Sequence, residues 1–153
     1  MERYQRIKDH VYGKFNAIYN EILRANAMTH TNAVDNCITL LAISRNLNLE
    51  LCKICALFHD FSQYTQNCPH SEHARMSAIY AHNFLSETNL FKISEIDEIC
   101  YAISQHSKKG QYDSPLCEAL KDADVLARFL EDPTKQFEGI KRERLLNACA
   151  DLS

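Results

Sequence analysis

Residues that make tight turns are scarce in this sequence, since its 153 residues include only three glycines and three prolines. Runs of alternating apolar and polar residues, which are typical of half-buried strands, are also missing. Apolar residues instead recur at the 3.6-residue spacing of an amphipathic helix in nearly every segment. The sequence therefore predicts an all-α protein, a compact single-domain helical bundle of about six to seven helices over residues 1–153.

An excess of positive charge is lacking as well, because 17 Lys and Arg residues face 20 Asp and Glu residues, for a formal net charge of -3. A chain of this charge offers no basic field that would attract the backbone of duplex nucleic acid. No apolar run is long enough to span a bilayer. We expect no duplex nucleic acid and no membrane among the partners, whereas a small anionic molecule needs only a few local cations.

Seven cysteines occur in a sequence with no recognisable signal peptide, which favours a reducing, cytoplasmic setting. Their odd number argues against a framework of disulfides. Cys52 and Cys55 form a C-x-x-C pair, but they lie within the apolar stretch LELCKICALF, and no second pair follows at zinc-finger spacing. We interpret both as buried core thiols, with redox chemistry as the minor alternative.

Apolar spacing divides the chain into seven predicted helices, and their starts carry favourable N-cap residues such as Ser94. The helices cover residues 2–25, 29–45, 48–60, a segment from Ser71, a segment capped by Ser94, a segment from Ser114-Pro115, and residues 133–150. The last one carries no inward polar residue. We expect it to cover the core.

Six ionisable residues lie on the core-facing sides of five predicted helices: His30, His59, Asp60, His73, His106 and Asp124. Burying each of them unpaired would cost several kcal/mol. A single inward histidine is usually a hydrogen-bonded core residue, but six inward groups favour one shared partner. Imidazole and carboxylate groups are ligands that first-row divalent metals accept, so these residues predict a metal centre.

The order of these residues resembles the HD-domain superfamily of metal-dependent phosphohydrolases, which is defined by an H…HD…D set of ligands on a helical bundle. The resemblance covers about residues 29–130. His30 is similar to the first histidine, His59 and Asp60 to the paired dipeptide, and Asp124 to the last aspartate. The resemblance implies that these four residues hold a primary metal.

His73 and His106 resemble the two further histidines of family members that hold two metals. The resemblance therefore implies one or two divalent ions, for which Mn, Fe, Zn, Ni and Co all suit the ligands, with Asp60 bridging them. Asp122 competes with Asp124 for the last position, because a helical turn could present either. We favour Asp124, because the resemblance implies an Ala-Asp-x-Leu context at this position and because Asp124 shares an apolar stripe with Leu120 and Ala127.

Two lysines and an arginine are candidates for contact with a substrate. Lys108 and Lys109 follow His106 directly, and Lys108 is predicted as a catalytic cation that contacts a phosphate, with a solvated loop lysine as the alternative. Arg128 is a weaker candidate. Many relatives carry Lys or Arg three positions after the HD aspartate, where this chain has Gln63, so one expected cation is missing.

The resemblance implies a metal-dependent phosphohydrolase that acts on a small phosphate ester, a nucleotide-like phosphomonoester or phosphodiester, through a metal-activated water. Asp60 or a neighbouring carboxylate would accept a proton from that water. Two alternatives stay open. Six-ligand members of the family include di-iron oxygenases, and a chain with Gln63 in place of a cation could bind a signalling nucleotide without turnover.

Overall fold

The computed structural model describes all of residues 1–153, and every regular element in it is helical. The eight α-helices are α1 Glu2–Asn16, α2 Glu21–Ser44, α3 Leu49–Phe58, α4 Phe61–Thr65, α5 His73–Thr88, α6 Ile93–Gln105, α7 Pro115–Glu131 and α8 Gly139–Asp151. A single 3-10 turn, His70–Glu72, precedes α5. The all-α prediction is confirmed, and the number of longer helices agrees with it, because α4 alone is as short as five residues.

The connection between the first two helices differs from the prediction. The apolar spacing predicted one helix to residue 25, but α1 ends at Asn16 and α2 begins at Glu21. Asn20 caps α2 because its side-chain oxygen accepts a hydrogen bond from the amide of Leu23 at 2.9 Å. Tyr19 continued the apolar pattern but is 98% exposed, so the spacing did not mark a buried face there.

Later boundaries agree with the predicted caps only in part. Ser94 is not a cap, because α6 begins at Ile93 after Lys92 and Glu95 completes the capping box, and α5 begins at His73 after Glu72 rather than at a Ser71 cap. Ser114 caps α7 as predicted, since its hydroxyl accepts a hydrogen bond from the amide of Cys117, and Pro115 occupies the first helical position. The final helix α8 begins at Gly139 rather than at residue 133. The segment between α7 and α8 is therefore longer than expected, and it contributes to a cavity described below. The expectation that α8 carries no inward polar residue is wrong, because Arg144 is buried and donates hydrogen bonds to Asp122 and Glu118 of α7.

The interior of the bundle is organised around α3. Within this helix every residue from Leu51 to Phe58 is buried except Lys53. Helix α2 packs against both α3 and α7, and α6 contacts the same two helices. Full burial of a large apolar side chain contributes about 1.5–3 kcal/mol, so α3 is firmly held. The two residues that follow it, His59 and Asp60, are thereby delivered into the interior.

The cysteines behave as the sequence predicted. Cys52 and Cys55 are fully buried in α3, which confirms their interpretation as core thiols. Burial raises the pKa of the Cys52 thiol to about 12. None of the seven cysteines forms a disulfide. Separately, no helix combines the length and the apolar character needed to cross a membrane.

Candidate metal centre

The site begins at the break between α3 and α4. Asp60 has φ -112° and ψ 12°, so the helical path is interrupted there and α4 starts in a new direction. Phe58 and Phe61 flank the break and pack edge-on, with ring centroids 5.8 Å apart. The amide of Ser62 donates to Ser77 Oγ at 3.0 Å and ties the break to α5. Both His59 and Asp60 are buried as a result.

Four other helices direct one ionisable residue each toward this break. His30 comes from α2, His73 from the start of α5, His106 from the end of α6, and Asp124 from α7. All of the histidines are at most 3% exposed. The structure therefore brings together all six residues that the sequence predicted as metal ligands.

Asp60 lies between two pairs of imidazoles. Its Oδ1 is 3.1 Å from Nε2 of both His73 and His106. Its Oδ2 is 3.3 Å from His59 Nε2 and 3.5 Å from His30 Nε2. Two groups of three possible ligands result, and both contain Asp60. One carboxylate could thus serve two cations.

The hydrogen bonds of the histidines define which nitrogen faces the centre. Nδ1 of His59 lies 2.7 Å from the carbonyl oxygen of Ala56, and Nδ1 of His106 lies 2.7 Å from that of Ile103. His73 makes the same contact with the carbonyl of His70. A carbonyl only accepts, so Nδ1 carries the hydrogen in each ring. The neutral forms then present an Nε2 lone pair toward Asp60.

These lone pairs crowd one another without a cation between them. The Nε2 atoms of His30 and His59 are 3.2 Å apart, and those of His73 and His106 are also 3.2 Å apart. Two neutral Nε2 acceptors at this separation repel, whereas a divalent metal accepts both lone pairs and is balanced by the buried carboxylates. The donor set therefore fits a divalent cation.

The charges of the carboxylates also suit a metal. Burial alone would raise the pKa of Asp60, but the neighbouring imidazoles hold it well below its usual range. Burial likewise acts to raise the pKa of Asp124, and the ammonium of Lys109 and the ring of His30 outweigh it, so this pKa is also well below its usual range. Both acids are ionised at neutral pH, as metal ligands must be.

The pKa values of the histidines shift in opposite directions. Burial lowers the pKa of His106, which keeps that ring neutral. Burial also acts against a charge on His59 and His73, but the carboxylate of Asp60 outweighs it and raises the pKa of both. The negative charge that attracts a proton to these nitrogens equally attracts a divalent cation, and metal binding would replace the proton.

The two candidate aspartates of α7 have different surroundings. Asp124 Oδ1 is 3.0 Å from His30 Nε2 and 3.8 Å from His59 Nε2. Asp122 is turned away from the centre, and its carboxylate pairs with Arg45 at 2.7 Å and Arg144 at 2.9 Å. The favoured residue Asp124 is therefore the one that lies at the cluster, and Asp122 joins helices through its arginines.

The structure separates the two lysines after α6. Lys108 is exposed and does not line the cavity over the cluster. Lys109 is buried, and its ammonium donates to Asp124 Oδ2 and to the carbonyl oxygen of His106, both at 2.6 Å. The lysine that reaches the cluster is therefore Lys109. Sequence spacing could not distinguish them, because both lie beyond the periodic pattern of α6.

Arg128 and Glu131 lie one and two turns beyond Asp124 on α7. Arg128 Nη2 is 3.5 Å from Asp60 Oδ2, and its Nη1 is 3.6 Å from Glu131 Oε2. Glu131 Oε1 also accepts a hydrogen bond from His30 Nδ1 at 2.7 Å. The sequence analysis did not single out Glu131, although its position seven residues after Asp124 puts both on one helical face.

Two cavities open onto the cluster, and Arg128 lines both. We call the first, which has a volume of about 240 Å³, the lysine-lined cavity. It reaches the cluster at Asp60, His73, His106 and Asp124. Its other walls include Lys109, Phe137 and the exposed Lys135 and Lys141. We call the second, of about 380 Å³, the amide-lined cavity; it reaches His30 and is also lined by Asn26, Thr29, Gln63 and Tyr64. The cluster is thus accessible from two sides.

Comparison with known proteins gives a consistent result. The family model of the HD domain matches residues 27–128, which include all six clustered residues. Among solved structures, the chain is similar to the crystal structure of a predicted HD superfamily hydrolase from an uncultured Thermotogales bacterium, with 25% sequence identity and a TM-score of 0.68. That alignment covers 95% of this chain and 84% of the other. No curated protein matches the sequence.

Proposed function

Because the chain belongs to the HD-domain family, we propose that it is a metal-dependent phosphohydrolase that cleaves a small, nucleotide-like phosphate ester. His30, His59, Asp60 and Asp124 would hold one divalent cation, and Asp60, His73 and His106 would hold a second. Bound there, such a cation neutralises the oxygens of the ester and lowers the pKa of a water toward ~7. Mn, Fe, Zn, Ni and Co all suit these ligands.

The observation that carries the proposal is the position of the Asp60 carboxylate. Each of its oxygens faces a separate pair of imidazole nitrogens at 3.1–3.5 Å, and the residue is 3% exposed. A buried anion is costly for the fold by itself, whereas an anion among four imidazoles is what a pair of divalent cations needs. Asp60 or Asp124 is also close enough to accept a proton from water at the cluster.

Cations of the protein would contact the phosphate itself. Lys109 takes the role that was predicted for Lys108, because Lys109 lines the lysine-lined cavity and Lys108 does not. Arg128 reaches over Asp60 and offers a planar pair of donors to phosphate oxygens. Seven unpaired cysteines remain consistent with the cytoplasmic setting that we propose.

The test uses protein purified without chelator, its metal measured by elemental analysis, and a panel of phosphomonoesters and phosphodiesters assayed with each candidate metal. We expect metal to copurify and phosphate esters to be hydrolysed. Asp60→Ala should abolish metal-dependent activity while its circular dichroism stays helical, because apolar contacts form the core. Asp97→Ala, at an exposed position on α6, is the matched control.

Three results would overturn the proposal. Dioxygen consumption that requires a redox-active iron pair would indicate an oxygenase. Stabilisation by a nucleotide in a thermal-shift assay, with no phosphate released under any metal, would indicate a binding module. Loss of the helical signal in Asp60→Ala would mean that the carboxylate supports the fold rather than a reaction.

A further inference from the structure

The two cavities meet at a single side chain. Arg128 lines both of them, and its guanidinium lies 3.5 Å from Asp60 Oδ2. The lysine-lined cavity reaches the His73 and His106 side of the cluster, and the amide-lined cavity reaches His30. A phosphate held by Arg128 beside Asp60 would therefore have free space next to His73 and His106 and also next to His30.

The lysine-lined cavity is small and has a modest excess of cations, since Lys109, Arg128, Lys135 and Lys141 line it beside the carboxylates of Asp60, Asp124 and Glu138. Its volume of about 240 Å³ is below the roughly 300–1,000 Å³ of pockets that enclose a whole drug-sized ligand. Lys109 is paired with Asp124, but neither Lys135 nor Lys141 forms an ion pair in the structure. Two unpaired ammonium groups beside a metal cluster would attract a second negative group of the ligand.

The amide-lined cavity has the opposite character. The side-chain amides of Asn26 and Gln63 make no hydrogen bond within the protein, so both are free to bind a ligand. Arg128, the one cation there, faces Glu131 at 3.6 Å. Neutral donors and acceptors beside Tyr64 suit an uncharged polar group, such as a sugar or a heterocyclic base.

We infer that the substrate carries a group on each side of its scissile phosphorus, a neutral polar arm in the amide-lined cavity and an anionic arm in the lysine-lined cavity. The substrate is then a phosphodiester or a phosphoric anhydride rather than a phosphomonoester. This inference rests on the proposed function. In either chemistry water adds at phosphorus, the bond from phosphorus to one arm breaks, and that arm leaves with the bonding electron pair and a proton.

Hydrolysis rates of a diester and a monoester test whether the substrate carries a group on each side of its phosphorus. Bis(p-nitrophenyl) phosphate and p-nitrophenyl phosphate differ only in the second ester group, so they form a matched pair. We expect kcat/KM to be at least about tenfold higher for the diester, a difference of about 1.4 kcal/mol in transition-state binding. A preference for the monoester with every metal would overturn the inference and leave the phosphohydrolase itself intact.

Binding tests the two arms without turnover. α,β-Methylene-ADP cannot be cleaved between its phosphorus atoms, and it places a nucleoside and an anionic phosphonate on either side of one phosphorus, whereas AMP lacks the anionic arm. We expect isothermal titration calorimetry of the metal-loaded protein to give about tenfold tighter binding of α,β-methylene-ADP. Equal affinities for the two ligands would overturn the inference even if no substrate were turned over.

Variants of the cavity residues test which cavity binds each arm of the ligand. Lys135→Gln with Lys141→Gln should reduce the affinity for α,β-methylene-ADP to that for AMP and leave AMP binding unchanged, because AMP has no group to occupy that cavity. Asn26→Ala with Gln63→Ala should lower the affinity for both ligands by the same factor, since both ligands carry the nucleoside. Lys14→Gln, at an exposed position on α1, is the control. If the lysine variant lowers the affinity for AMP as much as that for α,β-methylene-ADP, the assignment of the anionic arm to the lysine-lined cavity is wrong.

Discussion

His30 donates its Nδ1 hydrogen to the carboxylate of Glu131 across 2.7 Å, from α2 to the last residue of α7. The other three histidines of the cluster donate instead to a backbone carbonyl three residues earlier. Glu131 is thus the only side chain that orients a ring of the cluster from behind. A carboxylate in this position fixes the tautomer and makes the opposite nitrogen a better metal ligand.

Glu131→Ala should weaken metal binding because His30 loses the group that orients it. Changes of this kind typically reduce metal affinity by about 10–100-fold. Glu131→Gln keeps an acceptor oxygen and should restore much of the affinity. Competition with a chromophoric chelator measures both, and Glu87→Ala on the exposed face of α5 is the control. If the alanine and glutamine variants bind metal as well as the wild type does, Glu131 has no positioning role.

The two aspartates of α7 should separate stability from metal binding. Asp122→Asn removes the charge shared by Arg45 and Arg144. Breaking such a buried network costs about 3 kcal/mol, at the lower end of the usual range because Glu118 still pairs with Arg144 at 3.0 Å. Urea denaturation should show this loss, while metal affinity stays unchanged.

Asp124→Asn should instead weaken metal binding, because the anionic metal ligand is lost. The amide oxygen still accepts from Lys109, but the buried ammonium loses its counterion, so we expect the free energy of unfolding to fall in this variant as well. Chelator competition should then show the weaker binding. If Asp122→Asn loses the metal and Asp124→Asn retains it, Asp122 rather than Asp124 is the last metal ligand.

The sequence predicted four of the six clustered residues, His30, His73, His106 and Asp124, because each lies on an apolar stripe. A polar group on such a stripe is buried wherever the stripe packs, and α3 and α7 pack at the centre of the bundle. His59 and Asp60 instead follow the apolar turn Ala56-Leu57-Phe58, and the resemblance to the HD family assigned them as ligands. Periodicity could not choose between Asp122 and Asp124 on its own, because the partners of Asp122 come from helices far along the chain.

Residues outside regular helices were harder to predict. Lys108 and Lys109 follow α6 in a turn where no repeat indicates which side chain faces inward. Glu131 lies at the end of α7, where an acid is expected to be solvated, and its contact with His30 joins residues 101 positions apart. Tertiary packing decides such cases, and local sequence carries little information about it.

The adjacent lysines form a matched pair for testing substrate contact. Lys109→Gln should lower kcat/KM by about 100-fold, since it removes a buried cation aimed at the cluster, whereas Lys108→Gln should have little effect. Lys109 also holds the pKa of Asp124 down, so its loss allows that pKa to rise. Asp124 must be ionised to bind metal, and the acid limb of the pH–rate profile should therefore move to higher pH in Lys109→Gln.

An unchanged acid limb in Lys109→Gln would mean that Asp124 does not depend on this ammonium. A loss in Lys108→Gln as large as that in Lys109→Gln would return the substrate contact to Lys108. Both variants should be compared at equal metal occupancy, because weaker metal binding lowers the rate in the same direction.

The thiols offer a test of the core that is independent of the metal. Cys149 is exposed, whereas burial raises the pKa of Cys37 and Cys117 to about 11 and that of Cys52 to about 12. At pH 8 only about one in ten thousand Cys52 side chains would be the reactive thiolate. A disulfide reagent should therefore label Cys149 and the partly exposed Cys68 first, and Cys149→Ser with Cys68→Ser should remove that fast phase.

The buried thiols should react only when the helices around them open. Their labelling rate then reports the population of opened molecules, so it should rise with urea in parallel with unfolding measured by circular dichroism. Fast labelling of Cys52 or Cys55 in the native protein would revive the redox interpretation of the C-x-x-C pair. Slow labelling tied to unfolding would instead mean that α3, which carries His59 and Asp60 into the interior, opens only with the whole core.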